Sequence, residues 1–226
     1  MYSYHYPRPA LTVDIVVFTL REDHLQVLLI QRAEPPFVNM WALPGGFVRQ
    51  DESLEEAAAR ELSEETGVRQ VYLEQLYTYG DPHRDPRGRV VTVAYFALIP
   101  ADAQIHPEGG TDASQARWFC IDTTPPLAFD HRDILTYAIR RLRYKLEYSA
   151  VGFELLPETF TLSDLQRTYE MVLGESLDNR NFRRRILEAN IIEPTDQMRG
   201  GEGRPARLYR YRPDAVAEVK ARRLFP

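Results

Sequence analysis

Apolar residues along the first half of the chain fall into short runs that alternate with polar breaks. Leu11 to Leu20 and Leu25 to Gln31 are β-rich runs separated by Arg21-Glu-Asp-His24, which predicts a hairpin. The loop Glu34 to Trp41 leads to Ala42-Leu-Pro-Gly-Gly-Phe47. A helix is expected from about Ser53 to Thr66, because Ser53 and Glu56 have capping-box spacing and Gly67 sits where a left-handed stop is needed. Val71 to Tyr79 and Arg89 to Ile99 read as strands joined by the polar loop Gly80 to Gly88, and Gln115 to Cys120 as a short last strand. From about Asp130 to Tyr148, Ile134, Leu135, Ala138, Ile139, Leu142 and Leu146 keep helical spacing.

The remainder has a different rhythm. Gly152 to Pro157 reads as a connector, Thr161 opens a helix to about Leu173, and Gly174 ends it. Asp178 or Asn179 caps a second helix to about Ala189. A short strand (Ile191 to Glu193), a glycine-rich turn (Gly200 to Gly203) and a strand Arg207 to Arg212 follow. Two helices across a tight turn, then a hairpin with a basic loop, is the order of a winged helix-turn-helix. The division expected is a first domain over 1–149, a linker over 150–158 and a winged helix-turn-helix domain over 159–226.

Composition narrows the class. With 44% hydrophobic and 27% charged residues the chain has the make-up of a soluble globular protein. Its single cysteine, Cys120, excludes an internal disulfide and fits a reducing compartment; lying in an apolar strand, it reads as core. Met1-Tyr-Ser-Tyr-His-Tyr-Pro lacks a signal-peptide pattern, and the longest apolar run, Val90 to Ile99, is too short to cross a bilayer. A cytoplasmic protein without a membrane partner is expected. The five histidines (5, 24, 83, 106, 131) are scattered and show no zinc spacing.

The net charge of -5 hides an uneven distribution. Residues 1–149 hold 15 Lys and Arg against 21 Asp and Glu, whereas 180–212 holds nine Arg against four acids. An acidic, enzyme-like part is joined to a smaller part suited to a polyanion.

The densest chemistry lies in Gly46 to Val68. It reads Gly46, five residues, Glu52, seven residues, Arg60-Glu61-Leu62, one residue, Glu64-Glu65, one residue, Gly67-Val68. Glu61, Glu64 and Glu65 stand at i, i+3 and i+4, so a helix gathers three carboxylates on one face. Their mutual repulsion costs stability unless a hard divalent cation such as Mg²⁺ takes their oxygens. Leu54, Ala58 and Leu62 form the neighbouring apolar stripe. Arg60 is placed to orient a carboxylate, with Glu52 its natural partner, and Gly45-Gly46 permits close backbone approach.

This pattern resembles the Nudix box at every defined position. The resemblance implies an α+β protein with a Nudix fold, a mixed β-sheet sandwiched by helices, followed here by the C-terminal winged helix-turn-helix. It implies cleavage of a nucleoside diphosphate linked to another group, with Mg²⁺ or Mn²⁺ and a water nucleophile. Glu61 and Glu65 would be the main metal ligands, Glu64 a further ligand or the holder of a metal-bound water, and the Gly45 carbonyl would complete the shell. Glu52 and Arg60 would belong to the catalytic set, with Glu108 or Asp112 as candidate general base.

Asp81-Pro-His-Arg84-Asp-Pro-Arg87-Gly-Arg89 carries three arginines that could pair with a diphosphate, or form an exposed charged loop. The stretch Arg84 to Tyr95 is similar to one in a Nudix subgroup of ADP-ribose-binding enzymes and winged-helix regulators. Gly46 is a further substrate-side candidate, and Phe37 and Trp41 could stack on a base or pack in the core.

In the basic tail, Asn179 to Leu187 is the expected recognition helix. Phe182, Ile186 and Leu187 would anchor it, leaving Arg180, Asn181, Arg183 and Arg184 to reach double-stranded DNA. Arg199, Arg204 and Arg207 would form a wing on the phosphate backbone. A solvated basic helix or a dimer contact is the competing reading.

Over its whole length the chain resembles the NrtR type of bacterial regulator, in which a Nudix domain senses a small molecule and a homodimer binds palindromic DNA. Two functions stand. One is a Mg²⁺-dependent diphosphatase yielding AMP and ribose 5-phosphate from ADP-ribose. The other is a regulator of NAD or sugar metabolism whose Nudix domain senses ADP-ribose or another ligand. Many members of that group have degenerate boxes, and every box residue is kept here, so the sequence alone places hydrolysis first, coupled to DNA binding.

Overall fold

The computed structural model describes residues 5–6, 8–69, 71–103, 113–200, 205–212 and 214–215. These residues fall into two compact units. One draws on Met1–Phe18, Gln26–Leu98 and Gln104–Ile139, the other on Thr19–Leu25, Ile99–Ala103 and Arg140–Pro226.

The sheet begins with the predicted hairpin, β1 (Ala10–Arg21) and β2 (His24–Arg32), whose turn residues Glu22 and Asp23 both take the left-handed backbone of a tight hairpin. Two short strands follow, β3 (Trp41–Ala42) and β4 (Gly45–Phe47). Then come α1 (Leu54–Thr66), β5 (Tyr72–Tyr79), β6 (Val90–Leu98), β7 (Ala113–Cys120) and α2 (His131–Tyr148). The described strands order as β3-β2-β1-β6-β5, with β4 on β1 and β7 on β2. β1 and β6 are parallel while β5–β6, β1–β4 and β2–β7 are antiparallel, so the sheet is mixed. From Val13 to Phe18, β1 is almost wholly buried, as a central strand covered on both faces must be.

The helix ends follow the sequence. Ser53 and Glu56 close a full capping box on α1, and Gly67 stops it at φ 73°. α1 buries Ala57, Ala58 and Leu62 and packs on β4 and β7; α2 buries Ile134, Leu135, Ala138, Leu142 and Leu146.

In the second unit, a short 3₁₀ turn (Val151–Leu155) occupies part of the predicted connector. It is followed by α3 (Leu162–Leu173), α4 (Asn179–Ala189), β8 (Ile192–Arg199) and β9 (Ala206–Tyr211). Thr161 and Asp164 form a capping box on α3, and Asp178 caps α4. The turn between them is tied down by Glu170, whose Oε1 accepts from the Leu177 N–H and the Gln166 amide. Leu165, Tyr169, Val172, Phe182 and Ile186 form the core beneath, with Tyr169 and Phe182 edge to face at 5.6 Å. The antiparallel β8–β9 pair is a longer wing than the sequence indicates, since Pro194 to Met198 passes through a bulge before pairing resumes.

Two expectations need correcting. Leu187 does not anchor α4, because it is 50% exposed whereas Phe182 and Ile186 are buried. Cys120 is only half-buried, with Sγ near Asp122, because the strand ends there and the chain turns outward. Among the described residues no helix is long and apolar enough to cross a membrane.

Candidate functional site

Strand β1 brings Thr12 and Asp14, β4 brings Gly45, Gly46 and Phe47, and α1 brings Glu65 to one cavity of about 200 Å³. The loop before β6 adds Arg84, Asp85 and Arg87, β2 adds Arg32, the segment leading into α2 adds Phe129, and α2 adds His131. The whole lining lies in the first unit.

The glycine pair explains how strand and helix approach so closely. Gly45 lies opposite Asp14 in the β1–β4 register, and a Cβ there would meet the Val13 carbonyl oxygen at 2.2 Å. A Cβ on Gly46 would fall 2.4 Å from Glu61 Oε1, so that carboxylate rests directly on the backbone. The Gly45 N–H donates to Glu65 Oε2 at 2.8 Å, and Glu65 is 7% exposed.

Arg60 organises the remaining carboxylates. It grips Glu52 with two bonds (2.6 and 2.8 Å), donates to Glu61 at 2.6 Å and reaches Glu64 at 3.2 Å. The Arg60 bonds, with the Arg49 backbone N–H, hold the Glu52 carboxyl down at about 2. Burial instead pushes Glu61 above the ordinary carboxylate range despite Arg60. Among the described residues no group of three or more His, Cys, Asp or Glu side chains is gathered for a metal ion. The donor set nevertheless suits a hard divalent cation: three carboxylates on one helix face, Glu61 desolvated and resting on Gly46, and Glu65 held by the Gly45 N–H.

The floor holds a buried ionic network around Arg84, whose partners the sequence did not single out. Arg84 donates to both oxygens of Asp130 (2.7 and 2.9 Å) and to Asp14 at 3.3 Å. Burial works against the Arg84 charge, but Asp130 and Asp14 outweigh it and its pKa is raised. Burial works against the Asp85 charge too, but its bonds to Arg87 outweigh it and its pKa is lowered. His131 Nδ1 accepts from the Leu43 N–H at 2.9 Å, and Nε2 lies 3.4 Å from Asp14 Oδ1. An accepting Nδ1 makes the imidazole neutral with its proton on Nε2. Burial lowers the His131 pKa, opposed by Asp14 on β1 and by Asp130, and helped by Arg84 and Arg32.

A pH dependence follows. The unfolded chain takes up a proton near 6.5 whereas the folded chain resists it. The unfolded state therefore binds more protons below that pH, and stability falls as the pH drops. The loss is up to about 1.4 kcal/mol per pH unit between about pH 6.5 and the lower folded value. Urea denaturation from about pH 7.5 to 5.5 should show this slope, and His131→Asn should remove it.

The predicted residues thus part company. Gly45, Gly46, Glu65, Arg84 and Arg87 line the cavity; Glu52, Arg60, Glu61 and Glu64 form the adjoining cluster on or beside α1. Trp41 packs edge to face on Phe119 at 4.7 Å, and Arg89 donates to the Gly80 carbonyl; neither lines the cavity. Glu108, Asp112 and Arg204 lie outside the described residues. Asp14 was missed, although a lone carboxylate inside the apolar run of β1 is a signal that could have marked it. Asp130 and His131 carried no such signal, since acid and histidine at a helix start read as capping. Nothing in sequence marks Phe129, whose ring lies 4.9 Å from the Arg32 guanidinium and 5.5 Å from that of Arg87.

In the second unit Arg180, Arg183, Arg184, Arg199 and Arg207 are exposed, and Asn181 is half-buried. Arg183 donates to Ser163 (3.1 Å), Arg184 to Asn181 (2.8 Å), and Arg199 pairs with Asp164 (2.6 Å). With five N–H donors each, these guanidinium groups keep capacity for an external anion.

Residues 10–138 match the family model described as the NUDIX domain, and 152–211 match the NrtR DNA-binding winged helix domain. The chain belongs to the Nudix family. Its winged helix is of the NrtR type. The ADPR responsive transcriptional repressor NtrR of Acinetobacter baylyi is 44% identical over 210 residues, covering 91% of this chain and 83% of that protein. The ADP-ribose pyrophosphatase of Methanocaldococcus jannaschii is 40% identical over 130 residues, covering 58% of this chain and 73% of that enzyme. The crystal structure of Shewanella oneidensis NrtR complexed with a 27mer DNA superposes with a TM-score of 0.83 at 41% identity, covering 95% of this chain and 99% of that one. In this Nudix chain the cavity therefore lies in the domain that gives the family its name, and the exposed arginines in the NrtR-type winged helix.

Proposed function

We propose that this chain is an NrtR-type transcriptional regulator whose Nudix cavity senses ADP-ribose or a related nucleoside-diphosphate compound. One observation carries the reading: likeness to an ADPR responsive repressor runs through both parts of the chain, not through the Nudix domain alone. The geometry supports it. Arg32 and Arg87 flank the aromatic Phe129 at the cavity, a surface suited to an anionic ligand with a planar base. The exposed arginines of α4 and the wing suit DNA phosphates and guanine edges. A homodimer would set two such helices on a two-fold-symmetric site.

The test is a selection of randomised duplexes with the full chain, followed by calorimetry with ADP-ribose. An enriched, two-fold-symmetric site and saturable ADP-ribose binding are expected. No enriched site would overturn the reading.

A second reading, hydrolysis, is favoured by one specific observation: every carboxylate of the box is kept, with Glu61 seated on Gly46 and Glu65 on the Gly45 N–H. Glu61, Glu64, Glu65 and the Gly45 carbonyl would hold Mg²⁺, on which Nudix proteins typically depend. When bound, the metal would polarise the diphosphate and lower the pKa of an attacking water. Arg60 would keep Glu61 and Glu64 in place and fix Glu52 behind them. Slow turnover would then reset the sensor. Product release from ADP-ribose with Mg²⁺ should fall by at least about 10–100-fold in Glu65→Gln. Unchanged turnover in that variant would exclude the mechanism, and no turnover in the unaltered chain would leave sensing alone.

A further inference from the structure

The segment between β3 and β4 has no ladder of its own, yet the glycines of the site hang from it. Leu43 is 2% exposed, so its N–H cannot turn to water for a partner. Pro44 has no N–H to offer. Three consecutive residues are tacked to three different elements. The Leu43 N–H donates to His131 Nδ1 on α2, the Pro44 carbonyl accepts from the Ile15 N–H on β1, and the Gly45 N–H donates to Glu65 on α1. The other ring nitrogen of His131 faces Asp14, which lies directly opposite Gly45 in the β1–β4 register. The imidazole therefore spans the strand under the site and the loop over it, and is itself 4% exposed.

We infer that His131 is a positioning residue for the Nudix site: it sets the Leu43–Gly46 segment so that Gly45 meets Glu65 and Gly46 receives Glu61. Although its ring borders the cavity, both ring nitrogens are engaged by the protein, and in this role it works through the backbone it holds. Without it the Leu43 N–H is buried and unsatisfied, and the loop shifts to find a partner. The inference deepens the reading of this cavity as the ligand site and rests on it.

The test uses the full chain, with Mn²⁺ as probe (bound ion measured by electron paramagnetic resonance) and ADP-ribose in calorimetry. His131→Ala should weaken Mn²⁺ binding by about 10–100-fold, as loss of a group that orients ligands does. It should weaken ADP-ribose as well. His131→Asn, whose Oδ1 can stand in for Nδ1 toward the Leu43 N–H, should recover most of both. Leu135→Ala, a buried truncation on the same helix, controls for stability alone and should leave both affinities near the original. Equal losses in Leu135→Ala and His131→Ala, or an unaffected His131→Ala, would overturn the inference. If the unaltered chain binds ADP-ribose but no Mn²⁺, the metal reading fails separately, and the ADP-ribose arm decides the role of His131. If it binds neither, the site reading falls and the inference with it.

Discussion

Replacing Arg84 with alanine is expected to destabilise the protein by about 3–5 kcal/mol, the cost of leaving buried charges without their partner. The Arg84 side chain is 4% exposed and serves two carboxylates, Asp130 at 19% and Asp14 at 9% exposure. The substitution removes three charge-assisted bonds at once. Arg84 also joins the start of α2 to β1, so the loss should loosen the cavity floor and weaken ADP-ribose binding. Urea denaturation of the variant checks the magnitude. Adding Asp130→Asn to Arg84→Ala should return part of the loss, because it removes one of the stranded charges. A cost below about 1 kcal/mol would mean that the network behaves as an exposed one.

The second large effect concerns DNA. Arg183→Ala with Arg184→Ala should lower affinity for the selected duplex by about 1–3 kcal/mol for each of the two arginines that reads a base edge. If both arginines meet phosphate instead, the salt slope should fall by about two. Binding titrations at several salt concentrations separate these cases. ADP-ribose affinity should not change, since neither residue lies in the unit that holds the cavity. Intact DNA affinity would move the recognition surface away from α4.

The sequence made these parts visible to different degrees, for physical reasons. The caps of α1, α3 and α4 were legible because capping chemistry is local: Ser53 with Glu56, Thr161 with its hydroxyl, Gly67 and Gly174 in left-handed backbone. The carboxylate face of α1 was legible for the same reason, since helical spacing alone gathers Glu61, Glu64 and Glu65. The pairing of Arg60 with Glu52 required only that the chain before α1 fold back on it. The cavity floor was not legible. Arg84 stands 70 residues from Asp14 and 46 from Asp130 along the chain, and only the tertiary fold brings the three together. The same holds for Leu43 and His131. Leu187 misled because apolar character on α4 indicates the core side only when tertiary packing agrees, and Phe182 and Ile186 already fill that side.

Function shows the same division. The box speaks for a diphosphate chemistry, whereas the weight given to regulation comes from likeness along the whole chain. The measurement that tests the account most directly is the affinity of the full chain for its selected duplex, at fixed salt, with and without saturating ADP-ribose. The account predicts that ADP-ribose weakens DNA binding by about 5–150-fold, and that the duplex weakens ADP-ribose binding by the same factor. An affinity for DNA that ADP-ribose leaves unchanged would contradict it.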